Sequence, residues 1–131
     1  MAWESYGLDQ LAQQLVLDAK AREPQSLNQA YKMRMATAYG LERFWGEHLR
    51  LQRRELNASL FWQETWAALV TVMARAGVNL PNQRVNSDDV ASIRAISEAL
   101  WQLPLSDQRV ALAVLTQLCD SLVWWTQRYK G

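Results

Sequence analysis

A chain of 131 residues, half of them hydrophobic, suits one domain that buries roughly two thirds of the surface its unfolded form exposes. Fourteen Lys and Arg against thirteen Asp and Glu leave a formal charge of +1, so global charge gives no support to nucleic-acid binding and only the distribution of charge can. The single cysteine, Cys119, excludes an intramolecular disulfide and a multi-cysteine zinc site, and no apolar run approaches the roughly 18 residues of a membrane span.

The N-terminal residues 1–7 contain Glu4 and lack the basic-then-apolar order of a secretory signal, so an unprocessed, soluble, cytoplasmic protein is expected. A first helix begins at Trp3 or Leu8 and ends at Arg22, with Leu8, Leu11, Leu15 and Ala19 three and four residues apart and Pro24 as its stop. Ser26 followed by Gln29 has the spacing of a capping box and opens the longest proline-free periodic stretch, residues 27–56. Tyr31, Met35, Ala38, Leu41, Trp45, Leu49 and Leu56 give that stretch an inward stripe, and one continuous helix of roughly 45 Å is expected. Gly40 and Gly46 interrupt it, and close approach of another backbone explains them more readily than a bend.

After a turn at Asn57, Ala58 and Ser59, a third helix covers 60–76 with Trp62, Trp66, Leu69 and Met73 inward and Gly77 as a left-handed terminator. The longest loop follows, over 77–86. Ser87 caps a fourth helix that turns Val90, Ile93, Ile96 and Leu100 inward and stops before Pro104, with Asp88 and Asp89 at its positive end. Ser106 caps the last helix, 107–129, whose stripe is Ala111, Leu115, Leu118, Leu122, Trp125 and Tyr129. Strand alternation and internal repeats are absent. The expected fold is therefore all-α, a single bundle of about five helices over residues 1–131 with one long central helix.

The outer face of residues 27–56 carries the functional signal. Lys32, Tyr39, Arg43, Arg50 and Arg54 recur at steps of seven and four, which on one helix makes a single stripe, and the segment holds six basic residues against three acids. A solvated face laced with Glu42 and Glu47 pairs is the plainer reading. The alternative is a rail that follows RNA phosphates independently of sequence, with Tyr39 stacking and Arg34, Arg53, Arg128 and Lys130 assisting.

Arg43 and His48 form an Arg-x-x-x-x-His string that resembles the signature of the HEPN family of helical, metal-independent ribonucleases. That resemblance implies an arginine that stabilises the transition state and a histidine that moves a proton. Against it, His48 between Trp45 and Leu49 reads as a half-buried bundle residue. Paired acids, metal-ligand clusters and phosphate loops are not present in recognisable form, so no cofactor or metal is expected. Cys119 reads as an inert packed thiol, and Trp124, about 100° from the seam residue Trp125, as a subunit contact.

The C-terminal string Leu-Cys-Asp-Ser-Leu-Val-Trp-Trp-Thr-Gln-Arg-Tyr-Lys-Gly resembles the end of the small helical subunit of type III-A CRISPR effector complexes, through Asp120, Ser121, Leu122, Val123, Trp125, Arg128 and Tyr129. Residues 26–34 and 70–77 resemble two further segments of that family in the same order. The resemblance implies a non-catalytic, self-associating and filament-forming subunit of an RNA-guided antiviral ribonucleoprotein, one that touches the guide–target RNA duplex through basic side chains and contacts larger subunits. A helical adaptor without nucleic acid is the third expectation.

Overall fold

The structure is a computed structural model that describes residues 7–130, so the start of the first helix at Trp3 lies outside the described residues. Among them there are six α-helices, two short 3₁₀ segments and no strands. These are α1 (Leu8–Arg22), α2 (Gln29–Ala36), α3 (Leu41–Leu51), α4 (Leu56–Arg75), α5 (Val90–Trp101) and α6 (Leu105–Tyr129), with 3₁₀ turns at Pro24–Asn28 and Thr37–Tyr39. The all-α bundle expected from periodicity is what the chain forms.

The longest element is α6, and it is the axis of the bundle. Its Ala111, Leu115, Leu118 and Leu122 are fully buried, as their spacing predicts, and α1 and α2 lie along it. Trp125 and Tyr129 continue the seam as a stacked pair, with centroids 5.7 Å apart and planes at 15°. On the other side α4 packs against α3 and α1, placing Phe61, Trp62, Trp66, Leu69 and Met73 inside. Phe44 of α3 meets Trp62 at 4.8 Å and Trp66 at 6.4 Å, so three aromatic rings fill the gap between α3 and α4. α5 is peripheral. It leans on α3 through Ile96 and Leu100 and through Ser97, whose hydroxyl donates to Glu42 at 2.9 Å.

The expected continuous helix over 27–56 is broken. α2 ends at Ala36, tightens into a 3₁₀ turn, and bends at Gly40, whose φ of 96° and ψ of 176° belong to a region open essentially to glycine alone. A Cβ at Gly40 would meet nothing within 4 Å, so the glycine serves a bend and not a close backbone approach; Gly46 lies within α3 without any break. The expected inward stripe also shifts in the first half. Leu27, Ala30, Met33 and Thr37 are buried, while Met35 and Leu56 are 71% and 59% exposed and Ala38 is exposed.

Other boundaries move for similar local reasons. Ser26 does not cap: its hydroxyl donates to the carbonyls of Glu23 and Ala19, while the Gln29 side chain accepts from the Trp62 indole at 2.9 Å. The turn expected at 57–59 lies at 52–55 instead, closed by Arg54 and Glu55 amides on the Leu51 carbonyl. Ser59 is thereby inside α4, where its hydroxyl donates to the carbonyl of His48 at 2.8 Å.

Gly77, at φ 82°, ends α4 as expected, in a Schellman arrangement with Val78 N–H on Met73 O and Gly77 N–H on Ala74 O. Asp89, not Ser87, caps α5 by accepting from Ser92 N–H, which leaves Val90 74% exposed. Pro104 precedes α6 directly, so Ser106 lies in its first turn and caps nothing.

Candidate nucleic-acid interface

The break at Gly40 decides which of the stripe residues remain together. Lys32 on α2, Tyr39 at the bend and Arg43 on α3 converge on one hollow of about 310 Å³, shared with Met35, Ala36 and Glu47 and floored by Trp62. Tyr39 is 68% exposed, and the Arg43 guanidinium carbon lies 5.3 Å from the centre of its ring, a cation–π contact that orders both groups. Lys32 and Arg43 are exposed, and neither forms an ion pair among the described residues.

Farther along α3 the rail weakens. Arg50 is bound by both oxygens of Glu47, at 2.7 and 2.8 Å, and that carboxylate raises its pKa by hydrogen bond and charge. Arg53 faces Asp88 at 3.4 Å, whereas Arg54, in the turn after α3, is exposed and forms no ion pair among the described residues.

The assisting residues lie elsewhere and are largely occupied. Arg34 is paired with Asp120 of α6 and donates to the Thr37 hydroxyl, clasping α2 to α6. Lys130 donates to the Asn28 side chain and lies 5.6 Å from the Tyr31 ring centre. Arg128 covers Trp125 at 5.6 Å and Trp124 at 6.0 Å, so it shields the two indoles, of which Trp124 stays 56% exposed. The five-residue rail expected from a straight helix is thus reduced to a compact group of Lys32, Tyr39 and Arg43, with Arg54 at a distance.

Arg43 and His48 do not meet within the chain. They occupy different sides of α3, and His48 lines a separate hollow of about 290 Å³ with Trp45, Gln63, Glu64, Trp66 and Arg84. His48 is only 7% exposed; Nδ1–H donates to the Trp45 carbonyl at 2.5 Å, and burial lowers its pKa while that hydrogen bond raises it in part. Cys119 is fully buried, and burial pushes its thiol pKa far up, as the packed-thiol reading expects. Among the described residues no three of His, Cys, Asp and Glu gather as a metal site, and no helix is long and apolar enough to cross a membrane.

Sequence reasoning missed Trp101. The indole is 63% exposed and lines a third hollow, of about 370 Å³, together with Tyr39, Gly40, Glu42, Arg43, Leu100 and Gln108. Its position was readable, because one residue beyond the inward-facing Leu100 is about 100° around a helix from the core. Comparison with known protein families, characterised proteins and solved structures finds no match to this chain.

Proposed function

We propose that the protein is a non-catalytic, RNA-associated helical subunit of a larger ribonucleoprotein, and that it contacts the RNA backbone through Lys32 and Arg43, with Arg54 assisting. One observation carries the reading: Lys32 and Arg43, neither in an ion pair among the described residues, share one hollow with an exposed tyrosine, whereas Arg34, Arg50 and Arg53 of the same segment are each paired with a carboxylate. Phosphates bound there would neutralise charge that the protein itself leaves unmatched. The C-terminal resemblance to the small subunits of RNA-guided antiviral CRISPR complexes supports the same class of role; its residues form the end of α6, which packs against α2.

The test is RNA affinity as a function of salt, for wild type and for Lys32→Ala combined with Arg43→Ala. Removing two phosphate contacts is expected to weaken binding and to flatten the logarithmic salt slope by about 1.4 for a single strand. Equal affinities and slopes would remove the proposal. The ribonuclease alternative has less to stand on, because its arginine and histidine open into separate hollows.

A further inference from the structure

The hollow at Trp101 extends the interface in a direction that phosphate contacts alone do not require. It shares Tyr39 and Arg43 with the hollow at Lys32, so those two side chains form the ridge between them. On the far wall stands Trp101, the last residue of α5, held outward by the corner that follows it. Gln108 fixes that corner: its side-chain amide donates to the Trp101 carbonyl at 3.2 Å and to the Leu103 carbonyl at 2.7 Å. The opposite wall is set by the bend at Gly40, which presents Tyr39 with Arg43 over it. Two exposed aromatic side chains, one of them paired with a guanidinium, therefore face a common space of about 370 Å³, at the small end of the range that holds organic ligands.

We propose that this space takes an unpaired RNA base, stacked between Trp101 and the Tyr39–Arg43 pair, so that the natural ligand of the face is single-stranded. The inference rests on the proposed RNA role and names its substrate. In a duplex the base faces are covered by their neighbours and only backbone and groove edges are offered, whereas a single strand can turn a base out onto an aromatic side chain.

Charge favours nucleic acid over an acidic or neutral peptide in this place. Lys32 and Arg43 form no ion pair among the described residues, Glu47 is paired with Arg50, and Glu42, which also lines the hollow, accepts from the Ser97 hydroxyl, so the two cations outnumber the one acid left without an ion pair. A backbone running from the Lys32 hollow across the ridge would keep a phosphate near Arg43 while its base enters beside Trp101. Stacking reads no hydrogen-bond pattern, so the binding is tolerant of sequence.

The experiment measures binding of the full chain to three RNAs of equal length: a single strand, the same strand with abasic positions, and a duplex. Wild type is expected to prefer the intact single strand. Trp101→Ala, at an exposed position whose loss a thermal melt can show to leave the fold intact, is expected to weaken single-strand binding about tenfold, the worth of one stacked base. Its salt slope should not change, because no charge is removed; Trp101→Phe should restore most of the affinity.

Equal binding of the intact and abasic strands, a duplex bound as tightly as the single strand, or an unaffected Trp101→Ala variant would overturn the inference. In those cases a salt slope that still depends on Lys32 and Arg43 would leave the parent proposal standing. Wild-type protein that binds none of the three RNAs, but whose self-association is lost in Trp101→Ala, would assign the hollow to a second copy of the chain and overturn both.

Discussion

Single residues show how burial sets chemistry in this protein. Nδ1 of His48 must carry the proton it donates to the Trp45 carbonyl, so the neutral ring offers an unprotonated Nε2 toward its hollow. Burial holds its pKa below the ordinary 6.5, and the unfolded chain therefore binds a proton that the folded one resists. The corresponding stability is present above pH 6.5 and is lost as pH falls through the lowered folded value. Urea melts of wild type and His48→Gln at pH 7.5 and 5.5 should show a steeper loss in wild type, by at most about 1.4 kcal/mol per pH unit for one proton. Identical pH dependence in the two proteins would mean that His48 is solvated.

Cys119 gives the complementary case of a group silenced by its surroundings. Native protein should leave it unmodified by a thiol reagent that labels the urea-unfolded chain within minutes, and mass spectrometry reads the difference directly. Both side chains were legible in outline, since their apolar neighbours in sequence imply burial. The partner of His48 was not. A carbonyl three residues back is available to any helical histidine, and only the packing of Trp45 against the ring, at 5.5 Å and 71°, fixes which way it turns.

Among the elements, the α2–α3 unit is the instructive one. Over residues 27–56 each half is helical, but the break at Gly40 separates them and the expected inward positions hold only after it, at Leu41 and Trp45. The periodicity of apolar residues reports a local angle per residue, and one glycine with a positive φ interrupts that sum without altering the pattern around it. Gly40→Ala should cost about 1 to 3 kcal/mol although the added methyl meets open space, because the strain is entirely in the backbone. Gly46→Ala inside α3 is the control. There the Cβ makes only an ordinary contact with Glu42 at 3.6 Å, and helix propensity predicts no loss or a gain of up to about 1 kcal/mol. Similar melts of both variants would show that the positive φ at Gly40 is not needed for the fold.

The caps failed for a related reason. Ser26 and Ser87 have the right residue type near a helix start, but Pro24 opens a 3₁₀ turn beneath the first, and Asp89, two residues past the second, is the residue that accepts the α5 amide. Side-chain competition of this kind is settled by tertiary placement, which spacing does not encode.

For the whole molecule, the all-α architecture and most of the core were legible because α1, α4 and α6 are long, periodic and well separated by prolines or glycine. The α6 seam followed its spacing without exception from Ala111 to Leu122. Leu118→Ala, at the centre of that seam with no exposure, should destabilise the protein by 2 to 5 kcal/mol in denaturant melts, whereas Leu105→Ala, 60% exposed, should stay within about 0.5 kcal/mol. The candidate interface was legible as a set of residue types but not as a place. The residues gathered at the hollow depend on the Gly40 bend and on Trp101 being carried to the same side by α5, a juxtaposition across about sixty residues of sequence that no local pattern contains.

The bend at Gly40 has a further consequence of scale. A straight rod would have distributed its cations over several nucleotides; the bent chain gathers two of them at one hollow. On the proposed reading a lone copy grips RNA feebly, and firm holding comes from many copies side by side, each raising the local concentration at which the next one meets the strand. Affinity should then climb with oligonucleotide length in steps, one step for each additional copy accommodated.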